Sequence, residues 1–296
     1  MKRILLALLI PFSAQAKINV VASLPDLGSM ARDIGGDKVE VTVIGKPTED
    51  PHFVQAKPSY IVTLNRADLL IEQGLELEIG WLPALVEQTR NPKIRVGSRG
   101  LVVAAEGVPL LEVPTMPVTR AMGDIHPGGN PHFTLDPERG KIVAKNICEG
   151  LIRVDPKDAD AFRANLDKLV KRIDASLAEA QKILAPYRGA KVVAYHKSLN
   201  YFEERFGLVE VNNIEPKPGI APSPSHIAAL IEQMKSEGVK LILMEVWHER
   251  RTPDLVAQKT GAKVVEIPAN VGGSLDAPDY PSLCVAMAKR IAEAMK

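Results

Sequence analysis

The sequence predicts an α/β fold in two halves, each built from a parallel β-sheet flanked by helices. Three observations support this prediction. Short apolar strands alternate with helical patterns in both halves of the chain, which is typical of βαβ units. One long amphipathic pattern lies between the halves. The length of 296 residues, with 46% hydrophobic and 25% charged residues, is typical of a globular protein with two domains or one large domain.

The N-terminal residues have the features of a secretory signal peptide. Lys2 and Arg3 form a short positive region, an apolar run continues to Phe12, and small residues lead up to Ala16. We expect residues 1–16 to be removed and the mature protein to be soluble, periplasmic and without a membrane anchor of its own. The apolar run is too short for an anchor, because a helix that spans a bilayer needs about 20 residues.

The predicted elements follow the apolar periodicity of each half. In the first half we predict strands over 17–24, 39–44 and 67–72, and helices over 25–34 and 58–66. In the second half we predict strands over 191–195, 209–211, 239–245 and 263–267, and helices over 196–206, 224–237, 252–260 and 281–295. Gly35 and Gly36 end the first helix, and Ser225 is a candidate helix cap.

A long helix is predicted over residues 158–184, where apolar side chains recur with a period near 3.6. At about 1.5 Å per residue it would reach roughly 40 Å. It is either an ordinary core helix or a rigid rod that joins two lobes. The rod interpretation gives an N-terminal lobe at 17–157, a linking helix at 158–185 and a C-terminal lobe at 186–296.

Composition excludes some classes of function. The formal charge of +1 without basic blocks argues against nucleic-acid binding, and the 4% aromatic content argues against a base-stacking surface. The two cysteines, Cys148 and Cys284, are too few for the C-x-x-C and Cys-His zinc motifs. They form either one disulfide, which an exported protein permits, or two buried thiols.

Three of the six histidines are candidate metal ligands. His52 follows a predicted strand, His196 lies where a strand meets a helix, and His132 lies in Asn130-Pro131-His132. Ligands of open α/β sheets bind outside the carboxyl ends of the strands. Three imidazoles that converge there would suit Zn(II). Their spacing follows no short-range metal motif, so the spacing alone does not show convergence.

Several segments in order along the chain resemble the zinc/manganese solute-binding proteins of bacterial ABC uptake systems. They are Asp50-Pro51-His52, Lys57-Pro58-Ser59, Ala67-Asp68-Leu69-Leu70, Gly74-Leu75-Glu76, Asn130-Pro131-His132, Leu135-Asp136-Pro137, His196 with Tyr201-Phe202, Glu215-Pro216, Ser223-Pro224-Ser225 and Thr260-Gly261-Ala262-Lys263-Val264. The resemblance implies two lobes with parallel four-stranded sheets flanked by helices, joined by one long backbone helix. It also implies a metal in the cleft between the lobes.

The same resemblance implies the ligands and the partner. His52 and His132 would come from the first lobe and His196 from the second. Manganese-binding relatives often carry Glu at the third position, so His196 favours zinc as the cargo over manganese. The implied partner is an ABC permease in the inner membrane, and we expect a monomer that is not an enzyme.

The fourth ligand departs from the pattern of the family. Relatives carry an Asp soon after the Thr-Gly-Ala strand, where this chain has Pro268. We predict Asp276, on a Gly-rich loop, as the replacement. Glu245 at a strand end is the competitor, and water is a third possibility.

The remaining histidines have weaker signals. Many zinc-binding relatives carry a His-rich stretch before the His132 motif, and this chain has only His126 there. His126 is either a remnant accessory ligand or a solvated loop residue, and we favour the second interpretation. His226 and His248 are predicted as surface or helix-end residues.

The leading hypothesis is a periplasmic protein that captures Zn(II) and delivers it to an ABC permease. The first alternative is an exported zinc hydrolase, in which an open coordination position holds water and Glu245 acts as the general base. It lacks a His-Glu-x-x-His motif. The second alternative is a metal-binding adhesin or chaperone on the same fold, since fold alone does not decide function.

Overall fold

The computed structural model describes residues 16–119, 123 and 125–296. The predicted signal peptide therefore lies outside the described residues, apart from its last position, Ala16. Over the part of the chain that the structure describes, no helix has the length and hydrophobicity to cross a membrane.

The described residues form two sets of alternating strands and helices. The strands are β1 Ile18–Ala22, β2 Val39–Val43, β3 Leu69–Glu72, β4 Leu101–Val103, β5 Lys191–Ala194, β6 Val209–Asn213, β7 Leu241–Glu245 and β8 Lys263–Ile267. The helices are α1 Pro25–Gly35, α2 Pro58–Arg66, α3 Leu82–Glu87, α4 Pro137–Val154, α5 Ala159–Leu184, α6 Asn200–Phe206, α7 Pro224–Glu237, α8 Arg251–Thr260 and α9 Tyr280–Met295.

Each lobe contains a four-stranded parallel sheet with the same strand order. The orders are β2-β1-β3-β4 and β6-β5-β7-β8, and all paired strands are parallel. Successive residues of β3, from Leu69 to Ile71, are all buried. A strand that is apolar on both faces is typical of a parallel sheet covered by helices on both sides. The predicted fold class is confirmed.

The long helix α5 joins the lobes and also belongs to the core. It buries Phe162, Leu169 and Ile173 and packs against α4 and α1 of the first lobe and α9 of the second. One cluster of buried side chains continues from the first sheet through α5 to the second sheet. The helix α5 is therefore both a core helix and the rod that joins the two lobes. The predicted domain limits at 157 and 186 remain a prediction.

Buried polar contacts hold the lobes together, among them those of Asp136 and Asp26. Asp136, whose side chain is fully buried before α4, accepts hydrogen bonds from Arg139 at 2.7 Å and from Arg205 of α6 at 2.7 and 2.8 Å. Asp26 of α1 accepts from the backbone N–H of Val271 at 2.8 Å. Burial raises the pKa of Asp26 to about 6, against the hydrogen bond from Val271. These contacts restrict rotation of one lobe against the other.

The cysteines are two buried free thiols, Cys148 on α4 and Cys284 on α9. Burial raises the pKa of Cys148 to about 11 and that of Cys284 to about 12. Of the two interpretations of these residues, the structure therefore supports the buried thiols.

Candidate metal centre

His52 is held in a tight turn after β2. The Asp50 carboxylate caps the short 3-10 helix Pro51–Phe53 by accepting from the His52 backbone N–H at 2.9 Å. The indole N–H of Trp81 donates to the Pro51 carbonyl at 2.9 Å. The His52 ring then bonds Asp50 through Nδ1 at 2.8 Å. This contact leaves Nε2 free to bind a metal, because a partner on one ring nitrogen sets the tautomer.

His132 is positioned by Asn130, which contacts both lobes. The Asn130 side chain accepts from the His132 backbone N–H at 3.0 Å and donates to the carbonyl of Lys197 at 2.8 Å. The hydroxyl of Tyr201 on α6 donates to the Asn130 carbonyl at 2.6 Å. The loop that carries His132 is therefore tied to the second lobe.

His196 comes from the second lobe, directly after β5. Its side chain is buried, and its Nδ1 lies 2.8 Å from Oε2 of Glu215, which follows β6. Residues 196–199 form a turn, and α6 begins only at Asn200. The prediction of a helix from 196 is wrong at these residues. The side chains of His196 and Ser198 instead bond Glu215 and Glu245 from this turn.

The three predicted histidines converge between the lobes. One ligand atom from each of His52, His132 and His196 lies within 4.8 Å of the others. The ring centroid of His52 lies 5.3 Å from those of both His132 and His196, and the latter two are 5.6 Å apart. Two of these rings have a carboxylate on Nδ1, the arrangement that orients metal-binding imidazoles.

The electrostatic environment differs between these histidines. Burial, with the neighbouring His52 and His196, holds the pKa of His132 well below its ordinary value. Burial also opposes protonation of His196, but the hydrogen bond and charge of Glu215 and the charge of Glu245 outweigh it and raise the pKa. The pKa of Asp50 is lowered because its contacts with His52 outweigh its burial.

Asp276, the predicted fourth ligand, lies outside this cluster in the structure. Its half-exposed carboxylate accepts from Arg290 of α9 at 2.9 Å. Hydrogen bonds from Ser274 and Arg290 hold its pKa below the ordinary value. The Gly-rich loop turns Asp276 towards α9 because this cation partner lies there.

Glu245 is also engaged elsewhere. It is fully buried at the end of β7, accepts a short hydrogen bond from Ser198, and lies 3.3 Å from Nε2 of His248. A carboxylate held in this way does not face the cleft as a general base. His248 itself stacks on Tyr195 with ring centroids 3.9 Å apart. His248 was predicted as a surface or helix-end residue, but its side chain is only 13% exposed and it lies before the cap of α8 at Arg250.

His226 is a helix-end residue, which was one of the two predicted alternatives. It lies in the first turn of α7, and its ring donates to the Asn213 carbonyl at 3.0 Å. The helix is capped by Ser223 rather than by the predicted Ser225.

His126 lies against the cluster, and the interpretation as a solvated loop residue is wrong. Its Nε2 is 3.3 Å from Nε2 of His52, and the two rings stack with centroids 5.4 Å apart. Burial and the neighbouring His52 lower the pKa of His126 to about 4. One feature of the sequence could have indicated that His126 lies near the cluster. It is six residues before His132 in the same Gly- and Pro-rich loop.

A cleft of about 540 Å³ opens beside the cluster. Its wall includes His126, His132 and His196, with Met116 and Pro216 among the apolar residues. The histidines can therefore be reached from this cleft.

A bilobal α/β protein with imidazoles from both lobes in one cleft is a transition-metal-binding protein by its fold and donor set. The family described as "Zinc-uptake complex component A periplasmic", ZnuA, has a model that matches residues 20–294, and the chain belongs to this family. The predicted resemblance is confirmed. Proteins of this kind are metal-binding components of ABC uptake systems and not enzymes.

Relatives differ in the metal that their names state. The chain is 26% identical over 277 residues to the high-affinity zinc uptake system protein ZnuA of Paracoccus denitrificans, covering 82% of this chain and 80% of the relative. It is 26% identical over 258 residues to the manganese ABC transporter substrate-binding lipoprotein PsaA of Streptococcus pneumoniae, covering 85% and 79%. It is 25% identical over 254 residues to the iron lipoprotein MtsA of Streptococcus pyogenes serotype M1, covering 84% and 78%.

Solved structures agree with the fold. A crystal structure of ZnuA superimposes with a TM-score of 0.80 at 27% identity, covering 95% of this chain and all of that one. A manganese-bound periplasmic metal-binding protein from Candidatus Liberibacter asiaticus gives a TM-score of 0.78 at 22% identity, which supports the fold alone.

Proposed function

We propose that this chain captures Zn(II) in the periplasm and delivers it to an ABC permease. The observation that carries the proposal is the convergence of His52, His132 and His196 within 4.8 Å. Deprotonated imidazoles from both lobes surround the ion. Periplasmic location rests on the predicted signal peptide.

Zinc is proposed because the donors are nitrogens. Imidazole ligands suit Zn(II), whereas Mn(II) prefers carboxylate, carbonyl and water oxygens. The nearest carboxylates, Asp50 and Glu215, contact the other ring nitrogens of His52 and His196. These two carboxylates therefore orient the imidazoles, and the remaining ring nitrogen of each imidazole faces the ion. The names of the relatives include zinc, manganese and iron, so the proposal depends on this donor set.

Release is proposed to require small local movements. The helix α5 runs through both lobes, and Asp136 and Asp26 bond across their interface. A wide hinge opening would break these buried contacts. Shifts of the loops that carry His52 and His132 would be enough to separate the ligands. We propose that the protein acts as a monomer with an inner-membrane permease.

The experiment is an ATPase assay with the permease reconstituted in lipid vesicles. The zinc-loaded chain should stimulate ATP hydrolysis, and the manganese-loaded chain should stimulate it less. The zinc-treated His196→Ala variant should behave like the metal-free chain. Zinc loading without any stimulation would contradict delivery and favour the adhesin or chaperone hypothesis. Stronger stimulation by manganese would contradict the choice of ion.

A further inference from the structure

We infer that His126 is the fourth protein ligand of the ion, so that the site consists of four imidazoles. This inference rests on the proposed function and names the donor that completes the site. His126 belongs to the loop between β4 and α4, the same loop that carries His132. The first lobe would then supply three of the four ligands.

The first observation is the distance between two ring nitrogens. Nε2 of His126 lies 3.3 Å from Nε2 of His52. In a tetrahedral zinc site, with Zn–N distances of 2.0–2.1 Å, adjacent nitrogens are about 3.3–3.4 Å apart. An ordinary hydrogen bond from a ring N–H is shorter, at about 2.9–3.0 Å. The separation fits two imidazoles that share an ion, and it is at the long end for a hydrogen bond between the two rings.

The second observation is the partner on the other side of the His126 ring. The backbone of Leu75 interacts with the His126 side chain and opposes the lowering of its pKa. Nε2 of His126 faces His52. Metal-binding histidines commonly donate their second ring N–H to a backbone carbonyl or a carboxylate. The contact with Leu75 therefore orients the His126 ring, as the contact with Asp50 orients the His52 ring.

The backbone around this contact has an uncommon conformation. Leu75 and Glu76 have φ angles of 57° and 64°, which side-chain-bearing residues seldom adopt. Opposite them, Gly129 (φ 110°) closes a turn by donating to the His126 carbonyl at 3.1 Å. A Cβ on Gly128 would lie 2.8 Å from the Leu75 side chain. Two closely packed loops thus fix the His126 ring, as expected where backbone strain is kept for a site.

The competing carboxylates are committed to other partners. Asp276 bonds Arg290, and Glu245 bonds Ser198. Moving either one towards the histidines would break these contacts. His126 already touches His52. It is not among the three histidines whose ligand atoms all lie within 4.8 Å of one another, so its ring must move closer to His132 and His196 when the ion binds.

X-ray absorption at the zinc edge tests the inference, because scattering from the outer atoms of the imidazole rings counts the histidine nitrogens among the donors. The wild-type chain should show four nitrogens and His126→Ala three nitrogens with one oxygen. The affinity of His126→Ala for zinc should fall by about 10-fold or more. The matched control, Asp276→Ala, should keep four nitrogens. Three nitrogens and one oxygen in the wild-type chain would overturn the inference, as would a spectrum that changes in Asp276→Ala but not in His126→Ala.

A second variant tests the inference through a new absorption band. Co(II) bound to His126→Cys should show a near-ultraviolet charge-transfer band from the thiolate. The wild-type chain should lack this band because Cys148 and Cys284 are buried away from the site. Absence of the band in a cobalt-loaded His126→Cys chain would contradict the inference. A wild-type chain that binds no zinc would instead overturn the proposed function itself, so the two failures are distinguishable.

Discussion

The two lobes share a framework but divide the metal chemistry unequally. In each lobe a serine after the first strand donates to a buried glutamate that follows or ends the third strand. The pairs are Ser23 with Glu78, at 2.6 Å, and Ser198 with Glu245. Both pairs lie at the carboxyl edge of their sheet, where ligands of such folds bind.

The loops at that edge differ. After the second strand, the first lobe presents His52 and the second lobe presents Glu215, the partner of His196. After the fourth strand, the first lobe has the loop with His126 and His132, whereas the second has the loop with Asp276, which faces away. The repeated sheet therefore supplies a platform in both lobes, and the loop residues decide how many candidate ligands each lobe presents.

The largest expected effect is the loss of a ligand. His196→Ala removes the imidazole that the second lobe contributes to the cluster, and His132→Ala removes one from the first lobe. Each should lower zinc affinity by more than the ~10–100-fold typical of partners behind the ligands. Competition against a chelator of known affinity measures this effect. Unchanged binding in both variants would show that the cluster is not the site.

The partner of His196 should have the next largest effect. Glu215→Gln removes the charge that orients and polarises His196, and zinc affinity should fall by about 10–100-fold. Glu232→Gln, an exposed position on α7, is the matched control and should leave affinity unchanged. If both variants bind zinc like the wild-type chain, the second lobe contributes its imidazole without help from Glu215.

The pH dependence sharpens the same comparison. A protonated imidazole does not bind metal, so affinity should fall as pH drops. Because the pKa of His196 is raised, this fall should begin above the ordinary histidine pKa of about 6.5. In Glu215→Gln, protonated His196 loses its carboxylate partner, so the pKa of His196 drops. The fall in zinc affinity should therefore move to lower pH. A shift to higher pH would contradict this assignment.

The smallest expected effect belongs to Asp276. In Asp276→Ala, zinc affinity should change by less than about 2-fold, and loss of the exposed pair with Arg290 should lower stability by at most ~1 kcal/mol. Zinc titration and thermal unfolding measure the two effects. A large loss of affinity would mean that the loop brings Asp276 to the ion, and that the second lobe supplies two ligands.

Regular elements with clear start and stop signals could be predicted from the sequence. The helices Pro58–Arg66 and Pro224–Glu237 and the strand Lys263–Ile267 were predicted with the observed limits. The strand β4 has only three residues, too few to show a period. The helix α4 was missed although it is long and amphipathic and Asp136 caps it.

The site was predicted less completely than the fold. His52, His132 and His196 were found from strand ends and resemblance. The contact of His126 with His52 and the position of Asp276 outside the cluster were not predicted, because both residues lie on loops, where no period constrains direction. His126 interacts with the backbone of Leu75, and Asp276 pairs with Arg290. Both partners are distant in the chain, so local sequence does not reveal them.

The most direct test of the central claim is a competitive metal titration of residues 17–296. Zinc, manganese and a chelator of known affinity compete for the chain, and elemental analysis counts the metal that is bound. We expect one tightly held zinc per chain that manganese does not displace. Tight binding of neither ion, or zinc that is readily displaced by manganese, would contradict it.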